Sequence, residues 1–266
     1  MEKNKGILYT GERMIPGETP DVFFFEHLQR YYFIKDLCKN KAVLDVGCGN
    51  GYGAMFLANY AKEIVGVDID DEAIKNARRL YIKNNLRFFL TEASGSKLRN
   101  KKFGVICSFE VIEHIKNQKK FLLDAKKLLG KNGVFVISAP NKLIVSPNSK
   151  KPSNPFHIKE FDYTQFKNFL EKYFKNVEIY GQITKSKLNN LVYIIRYIRN
   201  NKYFFYVSIV MLNLIKLIFK NTNMWKYQKN FNKSVKILEK NKGKYVITKK
   251  NVENSSNFIA ICKNVF

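Results

Sequence analysis

Histidine is nearly missing from this chain of 266 residues. There are three, His27, His114 and His157, too few for a multi-histidine metal centre. The four cysteines, at 38, 48, 107 and 262, show no paired short spacing, which excludes a zinc ribbon and a disulfide framework. Each lies in or beside an apolar stretch, as a small buried side chain in a reducing compartment does. The opening Met-Glu-Lys-Asn-Lys-Gly lacks the apolar core of a signal peptide, so a cytoplasmic location is expected. Acids are scarce as well: Asp plus Glu is 22 against 47 Lys plus Arg, a net charge of +25. Such an excess attracts something anionic, whether nucleic acid, an acidic membrane face or a phosphorylated substrate. With 45% apolar and 26% charged residues the chain is globular and long enough to bury a full core.

From about 42 to 140, short apolar runs alternate with helical patterns. Ala42–Cys48, Glu63–Ile69, Leu86–Thr91, Phe103–Phe109 and Val134–Ala139 read as strands. Tyr52–Ala61, Asp71–Lys83 (capped by Asp70 or Asp71) and Phe121–Leu129 read as helices between them. Alternation of this kind predicts a doubly wound, mostly parallel α/β sheet with helices on both faces and right-handed crossovers. After Pro140 a Pro-, Asn- and Ser-rich loop precedes an amphipathic helix at Asp162–Phe174 and strands at Val177–Ile183 and Asn257–Lys263, for seven strands in all. The block Thr184–Lys250 holds 16 Lys or Arg and one acid, Glu239, and is expected to stand off the sheet. The expected organisation is therefore a lead-in and lid helix at 1–40, a ligand-binding domain at 41–183 and 251–266, and a basic helical insertion at 184–250.

The most informative segment is Val43-Leu-Asp-Val-Gly-Cys-Gly-Asn-Gly-Tyr-Gly53, an apolar strand running into four alternate glycines and then a helix. Glycines there let the backbone turn sharply and approach a ligand beyond the carboxyl ends of the strands. No Gly-Lys-Ser/Thr follows, so the loop is not a phosphate-binding Walker loop. Asp45 would repel a phosphate and suits a cationic ligand instead. Asp68 closes the next strand, where an acid accepts hydrogen bonds from two ribose hydroxyls. Glu92 ends the third strand, where it or its neighbouring backbone meets an adenine edge.

These residues resemble the class I S-adenosylmethionine-dependent methyltransferases, over about 40–183 and the last strand. The resemblance implies S-adenosyl-L-methionine as cofactor, bound by Asp45, Gly47, Cys48, Gly49, Asp68, Ile69, Glu92, Ala93 and Phe109. Phe103-Gly-Val-Ile-Cys-Ser-Phe-Glu-Val-Ile-Glu-His114 is similar to that family's fourth-strand motif, with Gly104 where Asp is usual. Thr10-Gly-Glu-Arg-Met-Ile-Pro-Gly17, Glu26-His-Leu-Gln-Arg-Tyr31 and Asn154-Pro-Phe-His-Ile-Lys-Glu-Phe161 resemble a narrower group found among surface-glycan enzymes. That likeness implies O-methylation of a sugar hydroxyl on a cell-surface or lipid-linked glycan. RNA methylation, lipid or quinone O-methylation, and a non-catalytic binding role are the alternatives.

A hydroxyl acceptor is a poor nucleophile until its proton leaves, and His is the usual base near neutral pH. His114 and His157 are the candidate bases, with Glu113 beside them; the alternative is a purely structural role for each. Glu110, Glu113 and His114 together also resemble the Glu-x-x-Glu-His metal pattern of some quinone O-methyltransferases, although no metal is expected. His27 and Arg30 fall on the lid helix, and Tyr52 in the glycine loop. Within the insertion, Leu188–Ile198 and Tyr203–Phe219 are apolar helices set among basic residues, too short to span a bilayer. They suit a peripheral contact with anionic membrane through 188–220, at the inner face. RNA is the rival partner, with Tyr193, Tyr197, Trp225 and Tyr227 as stacking residues.

Overall fold

The computed structural model describes residues 14, 21–147, 149–184, 231–240 and 243–264. Eight strands form one sheet: β1 Ala42–Val46, β2 Glu63–Asp68, β3 Leu86–Leu90, β4 Phe103–Ser108, β5 Leu129–Pro140, β6 Asn176–Thr184, β7 Tyr245–Thr248 and β8 Asn257–Lys263. Their order is β3-β2-β1-β4-β5-β8-β6-β7. The pairs from β3 to β5 are parallel, and β8 runs antiparallel to both β5 and β6. Six strands therefore point the same way, as the alternating pattern requires. The central strands are apolar on both faces because helices cover both. Helix α1 (Asp21–Ile34), α2 (Tyr52–Leu57) and α3 (Asp71–Leu80) bury Phe24, Leu28, Phe56 and Ile74 on one side. On the other, α4 (Gln118–Leu128) and α6 (Tyr163–Glu171), which follows the short α5 (Lys142–Val145), bury Leu122, Ala125, Phe166 and Leu170.

Local chemistry sets the helix ends. Asp70 caps α3, its carboxylate accepting from the Ala73 amide at 2.6 Å, with Asp71 and Glu72 in the first turn and Arg78 and Arg79 in the last. Asp162 and Gln165 close a capping box on α6. All four cysteines are free and buried, as their apolar settings imply.

The structure corrects one expectation. The 184–250 block does not stand wholly off the sheet: Tyr245–Thr248 pairs antiparallel with Gly181–Thr184 as the eighth, edge strand. Helix α7 (Phe231–Lys240) places Leu238 in the same core cluster as α1, and the Gln29 side chain donates to the Tyr245 carbonyl. The two apolar segments of 188–220, and the four aromatics offered for RNA stacking, lie outside the described residues. Among the described residues, no helix is long and apolar enough to cross a membrane.

Candidate active site

A cavity of about 940 Å³ opens at the carboxyl ends of β1, β2 and β4. That is near the top of the range for small-molecule sites. Its floor is the glycine loop. Gly47, Gly49 and Gly51 take φ of 75°, 52° and 82°, left-handed values that side-chain-bearing residues rarely adopt. The loop is pinned to β2: the Gly47 and Cys48 amides donate to the Val67 carbonyl at 2.8 and 3.0 Å. Asp68 joins the same arrangement, its carboxylate accepting from the Gly49 amide at 2.8 Å and the Asp70 amide at 3.0 Å. Two fixed donors orient the carboxylate at the cavity wall and leave lone pairs for a ligand hydroxyl.

The expected cofactor residues gather here with one exception. Gly47, Cys48, Gly49, Asp68, Ile69, Glu92, Ala93 and Phe109 all border the cavity. Asp45 does not. It lies beneath the loop, wholly buried, with Tyr31 Oη 3.3 Å from both carboxylate oxygens and Cys107 Sγ 3.5 Å from one. Burial pushes its carboxyl up to about 7, against the pull of those two donors. Its field can reach a ligand above the loop, but its oxygens contact protein groups. Tyr31 belongs to α1 and stands edge-on to Phe109 and Tyr52 at 4.9 and 5.8 Å, so the helix closes over the loop through aromatic packing. His27 of the same helix borders the cavity.

The candidate bases separate clearly. After β4, Glu110 (φ 56°) turns the chain into a single 3₁₀ turn at Ile112–His114. His114 borders the cavity, and its Nδ1–H donates to the Phe156 carbonyl at 2.9 Å. That bond fixes the tautomer and assigns the lone pair to Nε2. His157 stands edge-on behind His114, with ring centroids 4.9 Å apart, and does not border the cavity. Asn154 Oδ1 accepts from the Phe156 amide at 3.0 Å, so its Nδ2 is the donor to His157 Nε2 at 2.9 Å. The other ring nitrogen donates to buried Glu160 at 2.7 Å. His157 thus supports His114 and has both nitrogens occupied. Glu113 is also buried; its carbonyl accepts from the Ile158 amide at 2.7 Å and so ties the 153–161 loop to the turn.

Glu110 borders the cavity while Ser138 donates to its carboxylate at 2.8 Å and Arg30 stands 3.6 Å away. Arg30 itself is buried and donates to Gln182 at 2.8 Å, so this pair links α1 to the end of β4, β5 and β6. The outer half of the cavity also includes Lys116, Asn117, Lys120 and Asp124, from α4 and the residues before it. The apolar period alone marks α4 only as an amphipathic helix; its place after β4 is the signal, since that helix begins at the carboxyl end of the sheet.

Residues 37–182 match the family described as a methyltransferase domain. A probable S-adenosylmethionine-dependent methyltransferase of Mycolicibacterium smegmatis is 33% identical over 163 residues, 61% of this chain and 63% of that protein. A ubiquinone biosynthesis O-methyltransferase of Pelagibacter ubique is 35% identical over 109 residues, 41% of this chain and 45% of that protein. The chain thus spans less than two thirds of the curated relatives it matches. An S-adenosylmethionine-dependent methyltransferase from Archaeoglobus fulgidus shares the fold at a TM-score of 0.54 and 16% identity, covering 92% of this chain and 94% of its own.

Proposed function

The chain belongs to the methyltransferase-domain family, whose cofactor is S-adenosylmethionine, and we propose that it methylates a sugar hydroxyl of a cell-surface or lipid-linked glycan. The residues fit the cofactor. Left-handed glycines let the loop turn tightly beneath the cavity, Asp68 offers an oriented carboxylate for the ribose, and Glu92 and Ala93 flank the place of a base edge. Asp45 supplies negative charge beneath the cationic end. The cofactor provides an electrophilic methyl group on a sulfonium; the protein's part is alignment, desolvation and removal of the acceptor's proton.

The observation that carries this reading is His114. The residue borders the cavity and its tautomer makes Nε2, 4.0 Å from the Glu113 carboxylate, the ring acceptor, so it takes the hydroxyl proton as the oxygen attacks. His157, held by Glu160 and Asn154, keeps the ring in place. The acids, amide and cations lining the cavity (Glu110, Asp124, Asn117, Lys116, Lys120) suit a polyhydroxylated acceptor. The resemblance of the lead-in and loop motifs to those of surface-glycan enzymes supports the same class.

A divalent metal is the second reading, since one ligand atom each of Glu113, His114 and His157 lies within 4.8 Å of the others. The base reading has the better geometry: a metal on His157 would displace either the Asn154 or the Glu160 bond. A labelled-methyl screen against lipid-linked glycans, nucleotide sugars and RNA tests the acceptor class. With the accepted substrate, His114→Ala should lower kcat about 10²- to 10⁴-fold while S-adenosylhomocysteine affinity holds. Transfer to RNA alone, or activity restored to chelated enzyme by Mn²⁺, would replace this reading.

A further inference from the structure

Eight large apolar side chains are exposed among the described residues, and four of them lie on two segments that are hydrogen-bonded to each other. Phe156 and Ile158 border the cavity and are 45% and 46% exposed. Leu143 and Ile144 project from α5, which follows β5 at the same end of the sheet. The two rim segments are fastened together: the Lys142 amide donates to the Phe161 carbonyl at 2.9 Å, and the Ser153 amide to Ser146 Oγ at 2.8 Å. Apolar surface continuous with a ligand cavity marks a contact for something apolar. A free sugar, hydrated on every face, gives these side chains nothing to cover.

Charge on the same rim narrows the choice. From Asn141 to Lys159 the chain carries four lysines and no acid. Lys150 and Lys151 are exposed beside the apolar residues. Aliphatic side chains flanked by lysines match an anionic bilayer surface.

We propose that the acceptor is lipid-borne and is taken from an anionic membrane surface. Its hydroxyl reaches His114, while its apolar stem lies along Phe156 and Ile158 and leaves over Leu143 and Ile144 toward the bilayer. This rests on the methyl-transfer reading and adds the carrier. It involves the described rim, distinct from 188–220.

Alkyl glucosides of one to ten carbons, below micelle-forming concentration, test it by calorimetry on protein saturated with S-adenosylhomocysteine. Affinity should rise by up to about four-fold per buried methylene. The double variant Leu143→Asn, Ile144→Asn should flatten the rise for the longer chains. It should also lose at least half of the sedimentation with phosphatidylglycerol–phosphatidylcholine vesicles, with S-adenosylhomocysteine affinity and Tm unchanged. Equal affinity for methyl and decyl glucoside, no binding of either, or a chain-length gain that the double variant keeps in full would overturn the proposal. Those outcomes leave methyl transfer standing as long as S-adenosylhomocysteine binds; loss of that binding strikes the cofactor reading instead.

Discussion

Replacing Asp45 with Asn should stabilise the protein in alkali and destabilise it in acid. Burial raises this carboxyl from an ordinary 3.8 to about 7. A shift of about three units at 1.36 kcal/mol each means that ionised Asp45 costs the fold about 4 kcal/mol above pH 7. Between about pH 4 and 7 the folded chain holds a proton that the unfolded chain has released. Stability therefore falls as pH rises through that window and levels off above it. Asn carries no such cost. It keeps one oxygen for both Tyr31 and Cys107, whose own protons burial holds in place, but sets an NH₂ against the Tyr31 hydroxyl where the second oxygen accepted. That mismatch costs about 1–2 kcal/mol. The variant should gain about 2–3 kcal/mol at pH 8 and lose about 1–2 at pH 3, below the unfolded-state value, read from urea unfolding by circular dichroism. A change of one sign at both pH values would refute the buried-charge argument. Cofactor binding supplies a companion measurement. A cation above the loop favours ionised Asp45, so wild-type affinity should tighten from pH 6 to 8, by less than ten-fold per unit, and the slope should vanish in the variant.

Two further outcomes concern the loop. Asp68→Ala removes the acceptor of the Gly49 and Asp70 amides together with the proposed ribose contact. Hydrogen bonds to charged groups contribute about 1.5–3 kcal/mol, so S-adenosylhomocysteine should bind about 10- to 100-fold more weakly by calorimetry; a change within two-fold would deny Asp68 its role. Gly53→Ala places a methyl 2.0 Å from the Tyr31 ring, which forces α1 to shift. Overpacking of this kind costs about 1–3 kcal/mol, less up to about 1 from better helix propensity, and an unchanged Tm would show that the lid yields freely.

The parts of the fold set by local pattern were legible. Apolar runs flanked by cap residues located most strands and helices, because Asp70 and Asp162 start helices by chemistry that acts over three positions, whereas β5 begins at Leu129, before the expected Val134. The ligand loop was legible for the same reason: only glycines suit its backbone. What escaped depends on distant pairing. Tyr245–Thr248 is four residues long amid lysines and is a strand only because the end of β6 lies free beside it. The acid before the glycines is obvious in the sequence, yet its burial under Tyr31 follows from where α1 packs. His114 and His157 look alike on the page. Asn154, Glu160 and the Phe156 carbonyl divide their roles, and all three belong to a loop whose path no periodicity encodes.

The position of β8 bears on the order of assembly. It lies inside the sheet, between β5 and β6, yet its residues 257–263 are separated from β6 by the whole basic block. Until it arrives, β5 presents an open edge and the β6–β7 ribbon has no partner on its inner side. Val134 meets Lys263 and Asn176 meets Lys263 across long stretches of chain, so loop closure must precede any gain from these ladders. The parallel half, from β3 to β5, is built from neighbouring segments and can condense first. The far half then zips on in a slower step, during which the edge of β5 is open to pairing with another chain.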